Sequence, residues 1–197
     1  MGTKKKITKV GGDELSSNTE RKPFVPTPES KSKATKLRVI AGVLWALAIA
    51  AQVVAISMLF KQPVNMTWII ILIVIDLALA IAGSLLWKKS NRFDPASEKN
   101  KFLFFMQSQL GLVVAVIAFL PLVIFILTSK NLDKKQKGIL GGIAGAALLI
   151  AGLTGIDYNP PSAEEYAEQT ARIEELTGQN VVYWTKSGTK YHIYVDC

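Results

Sequence analysis

The sequence predicts an all-α membrane protein, a four-helix transmembrane bundle with a small tail of one helix and a β-hairpin. Three observations lead there. Half of the 197 residues are hydrophobic, and the mean hydropathy is +0.29, high for a soluble domain. The apolar residues gather in four blocks. The charges, which sum to +8, sit in the tails and loops between those blocks.

Residues 1–38 carry ten Lys/Arg and four Asp/Glu with no apolar run. Such a leader is too long and polar for a secretory signal. Lys6 stands where a myristoylation motif needs Ser or Thr. A stretch rich in Lys, Ser, Thr and Pro buries too little to offset its ordering entropy, so residues 1–38 are expected to be a disordered basic leader.

Residues 39–156 form the spanning domain. Hydrocarbon is crossed by about 20 apolar residues in a helix, and helices satisfy their own backbone in lipid. The spans are expected at 39–60, 68–87, 102–127 and 139–156, with Asp76 the one charged residue inside them. Trp68 and Trp87 lie 19 residues apart, roughly 28 Å along a helix, and suit interface anchoring. With the leader inside, Lys/Arg divide 18 against 5 between the two sides. Positive loops favour the cytoplasm, so both termini are expected there, in the plasma membrane. Lys130, Lys134, Lys135 and Lys137 oppose that assignment; a re-entrant fourth block would move the tail outside.

Helices associate in lipid through close backbone approach and polar contacts. Gly138, Gly141, Gly142 and Gly145 make two overlapping small-xxx-small pairs, a candidate packing face within the chain or between copies in a homo-oligomer. Pro121 removes one backbone hydrogen bond from the third span and is expected to kink it.

Asp76 is the first candidate site. An ionised carboxylate at that depth costs roughly 2.5–3.5 kcal/mol, and no cation lies within any span, so it is expected to hold its proton. Ala80, Gly83 and Ser84 share its helix face. Gln52 in the antiparallel first span lies about 2 Å away in depth, so an Asp76–Gln52 hydrogen bond is expected. It would serve as a structural clamp or as a proton- or cation-binding site.

The tail, residues 157–197, is the second. Ser162 and Glu165 read as a capping box opening a helix over 163–177 that stops at Gly178. Tyr166, Ile173 and Leu176 form its apolar stripe, and the helix is placed against the basic 88–101 connection. Two runs rich in β-branched and aromatic residues flank Ser187-Gly188 and predict a hairpin over 181–195. His192 and Cys197 are candidate metal ligands, half of a tetrahedral zinc site; no cofactor is expected. The run Val182-Tyr183-Trp184-Thr185, Gly188, Tyr191-His192 and Cys197 resembles the C-terminal segment of uncharacterised bacterial multi-span membrane proteins. That resemblance covers about 16 residues and implies no activity. Similar chains continue beyond this cysteine, so the chain is expected to be truncated.

Nucleic-acid binding is not expected, because the basic residues lack an aromatic platform or known module. Neither is catalysis: the spans hold one Asp and no His. The sequence therefore points to a non-enzymatic interaction or scaffold module in the bilayer. Its leader would engage anionic headgroups and its tail a cytoplasmic protein. The alternative is a small oligomeric ion or solute carrier using Asp76.

Overall fold

The protein is described by a computed structural model over residues 24–178. Among these residues there are six helices and no strand: α1 (Pro28–Leu59), α2 (Met66–Phe93), α3 (Lys101–Ser108), α4 (Leu110–Thr128), α5 (Lys134–Gly155) and α6 (Ala163–Thr177). Four of them, α1, α2, α4 and α5, are long and apolar enough to cross a membrane. They run alternately up and down. The start of α1, the end of α2, α3, the end of α5 and α6 share one end of the bundle, called here the tail-side end. The 60–65 and 129–133 connections form the far end.

The bundle is arranged for oil. Its core is rich in alanine: Ala41, Ala48 and Ala55 of α1, Ala115 and Ala118 of α4, Ala144, Ala147 and Ala151 of α5 are buried. Large side chains such as Val43, Leu47, Val53, Val74, Ile117, Ile124, Leu149 and Leu153 face outward. A water-soluble protein rarely exposes so much contiguous apolar surface. In lipid this surface costs nothing, while small residues inside let backbones approach. The helix α2 is central and packs against α1, α4 and α5, whereas α1 and α5 do not touch.

Two spans differ most from the sequence expectation. The first span begins well before the apolar block: residues 28–38 are helical, not part of a disordered leader. The start is written in Thr27-Pro28-Glu29-Ser30. Thr27 accepts from the Ser30 N–H, Pro28 occupies the first turn, where its missing donor is harmless, and Glu29 pairs with Lys33 one turn on at 2.7 Å. Glu29 is held below the usual carboxylate range by that lysine. The rest of the leader, residues 1–23, lies outside the described residues.

The third block is two helices rather than one. The interruption falls at Gln109, where the backbone leaves helical geometry, and not at Pro121, which stays inside α4. At 19 residues α4 still reaches about 28 Å, enough to span. The break is followed by close packing. A Cβ on Gly155 would stand 2.7 Å from the backbone of Gly111, and one on Gly111 would stand 2.8 Å from the Gly155 carbonyl. The main chains of α4 and α5 therefore touch just after the break.

The glycines singled out from sequence do not make this contact. Above Gly138, Gly142 and Gly145 there is open space, and Gly141 alone meets a neighbour, the Leu127 side chain at 3.1 Å. Gly138, Gly142 and Gly145 thus approach no neighbouring helix closely, and of the two small-xxx-small pairs only Gly141 touches one. Close approach is made instead by Gly111 and Gly155, and by Gly83, which receives the Trp45 indole.

Helix ends are closed by side chains from other elements, as free carbonyls at a helix terminus require. At the far end Asn131 Nδ2 donates to the Leu59 carbonyl at 2.9 Å. At the tail-side end Lys88 Nζ donates to the carbonyls of Thr154 at 2.7 Å and Ile156 at 3.3 Å. The start of α5 has a full capping box, Asp133 with Gln136, on a sequence signature that the lysine count overshadowed.

The last helix runs over Ala163–Thr177 as expected. Ser162 caps it, and Gly178 ends it at φ 70 in the left-handed region that glycine tolerates. The hairpin expected over 181–195 lies outside the described residues.

Candidate functional site

Two polar regions stand out in an otherwise apolar bundle. The first is near the middle of the spans. Asp76 is 1% exposed and lies on the buried stripe of α2 with Ile73, Ala80, Gly83 and Ser84. Gln52 lies on the matching stripe of α1 with Ala48 and Ala55. The register of this hairpin is fixed by Trp45, whose Nε1 donates to the Ala80 carbonyl at 3.4 Å and whose ring fills the notch at Gly83. Two turns further along α1, that register brings Gln52 to the level of residues 73–76.

The expected Asp76–Gln52 hydrogen bond is not formed. Gln52 Nε2 donates instead to the Ile117 carbonyl of α4, at 3.4 Å. The physical reason lies four residues on. Pro121 has no N–H, so the Ile117 carbonyl loses its helical partner. In lipid such a group must find another donor, and the Gln52 amide supplies it. Both carboxylate oxygens of Asp76 are buried with no hydrogen-bond partner among the described residues. Gln52 and Pro121 are thus coupled in a way that spacing within either span alone does not reveal.

The second region is the tail-side rim, a dense polar network that sequence reasoning missed. Arg38 Nη1 pairs with Asp94 Oδ2 at 2.7 Å, and Nη2 donates to the Asp94 carbonyl at 2.7 Å. The same guanidinium lies 5.7 Å over the Trp87 ring, which packs on Trp45 at 5.4 Å. The break at Gln109 frees the Gln107 carbonyl, because residue 111 no longer donates to it. Trp87 Nε1 and Asn91 Nδ2 take it up at 2.8 and 3.0 Å. Gln109 then clasps both backbone groups of Asp157, donating to its carbonyl at 2.9 Å and accepting from its N–H at 3.1 Å. One interruption in the third block therefore ties α2, α3 and the end of α5 together. Of the two tryptophans expected as anchors, Trp68 is exposed, whereas Trp87 is half-buried in this network.

The rim also holds α6. Ala96 and Ser162 form an isolated parallel bridge, and the Ala163 N–H donates to the Ala96 carbonyl. Glu164 accepts from the Ser97 hydroxyl and from the Glu98 N–H. Those two donors hold its carboxyl below the usual range. Tyr166 donates to the Arg92 carbonyl at 3.2 Å, meets Phe24 edge-on at 5.2 Å, and has its hydroxyl pushed up by burial. The helix therefore does lie against the 88–101 connection. Of its apolar stripe, Tyr166 and Ile173 are half-buried while Leu176 is exposed. Glu165, Glu168, Glu174 and Glu175 face outward.

Among the described residues no three His, Cys, Asp or Glu side chains gather as metal ligands. The candidate ligands His192 and Cys197 lie outside the described residues. Comparison with models of protein families, with curated proteins and with solved structures finds no match to this chain.

Proposed function

We propose that the chain is a non-enzymatic membrane-anchored interaction module. Its tail-side end faces the cytoplasm in the plasma membrane, the basic leader and the first turns of α1 engage anionic headgroups, and α6 presents an acidic face to a basic surface on a partner protein. The observation that carries this reading is the fixing of α6. A helix with no buried residue of its own is held at a defined place on the bundle through Ala96, Ser97, Glu98 and Arg92. Such a segment contributes little to a core, and its placement is explained by what it displays. Cytoplasmic positive charge follows the usual bias of loop lysines and arginines, with Lys31, Lys33, Lys36, Lys88, Lys89 and Arg92 at this end. A juxtamembrane cluster gains about 1 kcal/mol per basic residue from anionic lipid.

Chemical cross-linking of the full-length protein in its native membrane tests the reading. The cross-linked partner is expected to disappear when residues 157–197 are removed and to persist in Asp76→Asn. A partner that survives the deletion removes the proposed role of the tail.

The unpartnered carboxylate of Asp76 favours a second reading, a small proton- or cation-coupled carrier working as an oligomer. An ionisable group at that depth is expensive, and such residues often mark a pathway. For this reading Asp76→Asn keeps the fold and abolishes flux in proteoliposomes. Unchanged flux rejects it.

A further inference from the structure

Beside the packed rim is a groove of about 440 Å³ between the end of α2 and the turn after α5. Its α2 wall is Leu85, Lys89 and Arg92, spaced at i, i+4 and i+7 and so on one face. The opposite wall is the 156–159 turn with Tyr158 and Asn159. The groove changes chemistry along its length. Leu85, 54% exposed, continues the apolar outer surface of α2, and Leu153, 59% exposed and just outside the groove's lining, stands on the outer surface of α5. Tyr158 bridges to the latter, its hydroxyl donating to the Leu153 carbonyl at 3.2 Å. One turn beyond Leu85 the wall becomes cationic.

Lys88 is already occupied by the carbonyls of Thr154 and Ile156. Lys89 and Arg92 are exposed, and neither side chain has a hydrogen bond or an ion pair among the described residues. Arg92 is nevertheless fixed in place, because its backbone carbonyl receives the Tyr166 hydroxyl. The one anion lining the groove is Asp157, which is buried and whose Oδ1 accepts from the Asn159 N–H. Three cations against one carboxylate leave the groove positive.

We propose that this groove binds one anionic phospholipid, its headgroup phosphate between Lys89 and Arg92 and an acyl chain along Leu85 and Leu153. An arginine presents a planar fork to phosphate oxygens and a lysine a point charge. A free phosphate would use the cationic half alone and leave the apolar half without purpose. Leu85 on the groove wall is continuous with the apolar outer surface of α2, so a lipid of the surrounding bilayer would reach the groove by lateral diffusion. The proposal rests on the reading that this end faces anionic headgroups, and adds a stoichiometric site to what would otherwise be a diffuse attraction.

Native mass spectrometry of the full-length protein in detergent tests it, with phosphatidylglycerol, phosphatidylcholine and inorganic phosphate as separate probes. One phosphatidylglycerol per chain is expected to remain bound, with phosphatidylcholine and phosphate lost. Lys89→Gln and Arg92→Gln are each expected to weaken retention roughly tenfold, the scale of one hydrogen bond to a charged group, while Lys89→Arg keeps it. Neither residue makes a side-chain contact that folding would miss, and an unchanged melting temperature checks this. The paired change Lys31→Gln with Lys33→Gln removes charge from the start of α1 and is expected to leave the bound lipid in place. Undiminished retention in both groove variants overturns the proposal, as does equal retention of phosphatidylcholine or binding of phosphate alone. Failure of the wider reading looks different: the lipid stays bound while no partner is lost on removing residues 157–197.

Discussion

Two carboxylates on or beside α2 show how differently the bundle treats charge. At the tail-side rim Asp94 is held by the Arg38 guanidinium at 2.7 Å and lies beside Trp87, Asn91 and Gln107. Nearly five turns away, inside the span, Asp76 has neither oxygen hydrogen-bonded among the described residues. The rim carboxylate is part of the joinery; the buried one is not. The difference follows from supply. Near the headgroups the chain can place arginine, lysine, asparagine and glutamine at little cost, so the ends of α1 and α5 find side-chain partners. Within hydrocarbon each added polar group is expensive, and the one amide present, Gln52, is claimed by the carbonyl that Pro121 leaves open. What holds the middle of the bundle is close packing.

The strongest test of that contrast is steric. Gly155→Leu drives a side chain into the Gly111 backbone, which cannot yield, and should cost about 3 kcal/mol or more, read as unfolding in mixed micelles. Gly142→Leu, directed into open space, should change stability by less than about 0.5 kcal/mol. A large loss at Gly142 would reveal a second copy on that face.

Next in size is the removal of the buried acid. Asp76→Leu should improve insertion of the second span by about 3 kcal/mol in a translocon insertion assay. The opposite sign is expected at the rim. Arg38→Ala removes a partly exposed ion pair together with its bond to the Asp94 carbonyl, and should destabilise the bundle by about 1–2 kcal/mol. A loss of bundle stability in Asp76→Leu, measured in the same micelles as Arg38→Ala, would show that Asp76 has a structural partner after all.

The smallest effect is at α6. The carboxyl of Glu164 is held below its ordinary value by Ser97 and the Glu98 N–H. A lowered folded-state value means the contact stabilises above the ordinary glutamate range and is lost as pH falls through the folded value. The protection of 163–177 against hydrogen exchange, taken relative to the intrinsic rate at each pH, should therefore be flat from neutral pH down to that range and fall below it. In Glu164→Gln the acid-dependent part should vanish.

Much of this was legible in one dimension. The four spans follow from apolar length alone, and α6 with its bounds from Ser162, Glu165 and Gly178. The helical start at Pro28 was also written, in Thr27-Pro28-Glu29-Ser30, but the surrounding lysines argued for disorder. Their charge is no obstacle there, because residues 28–38 extend the helix beyond the apolar block and Arg38 finds Asp94. The glycine motif was legible but its partner was not: small residues signal a possible approach without saying to what, and within the chain Gly141 alone meets a neighbour.

By itself the sequence determined that four segments prefer oil to water, where the apolar part of each lies, and that a single acid is carried into the interior. Those are properties of a segment and its solvent. Only the tertiary structure decided which glycines meet, why the third block breaks at Gln109, that Gln52 turns to Ile117 rather than Asp76, and that Lys89 and Arg92 share a groove with Leu85. Each of these depends on which helix lies opposite. In lipid that choice is set by shape and by scarce donors, and neither is recorded in the hydropathy of a single span.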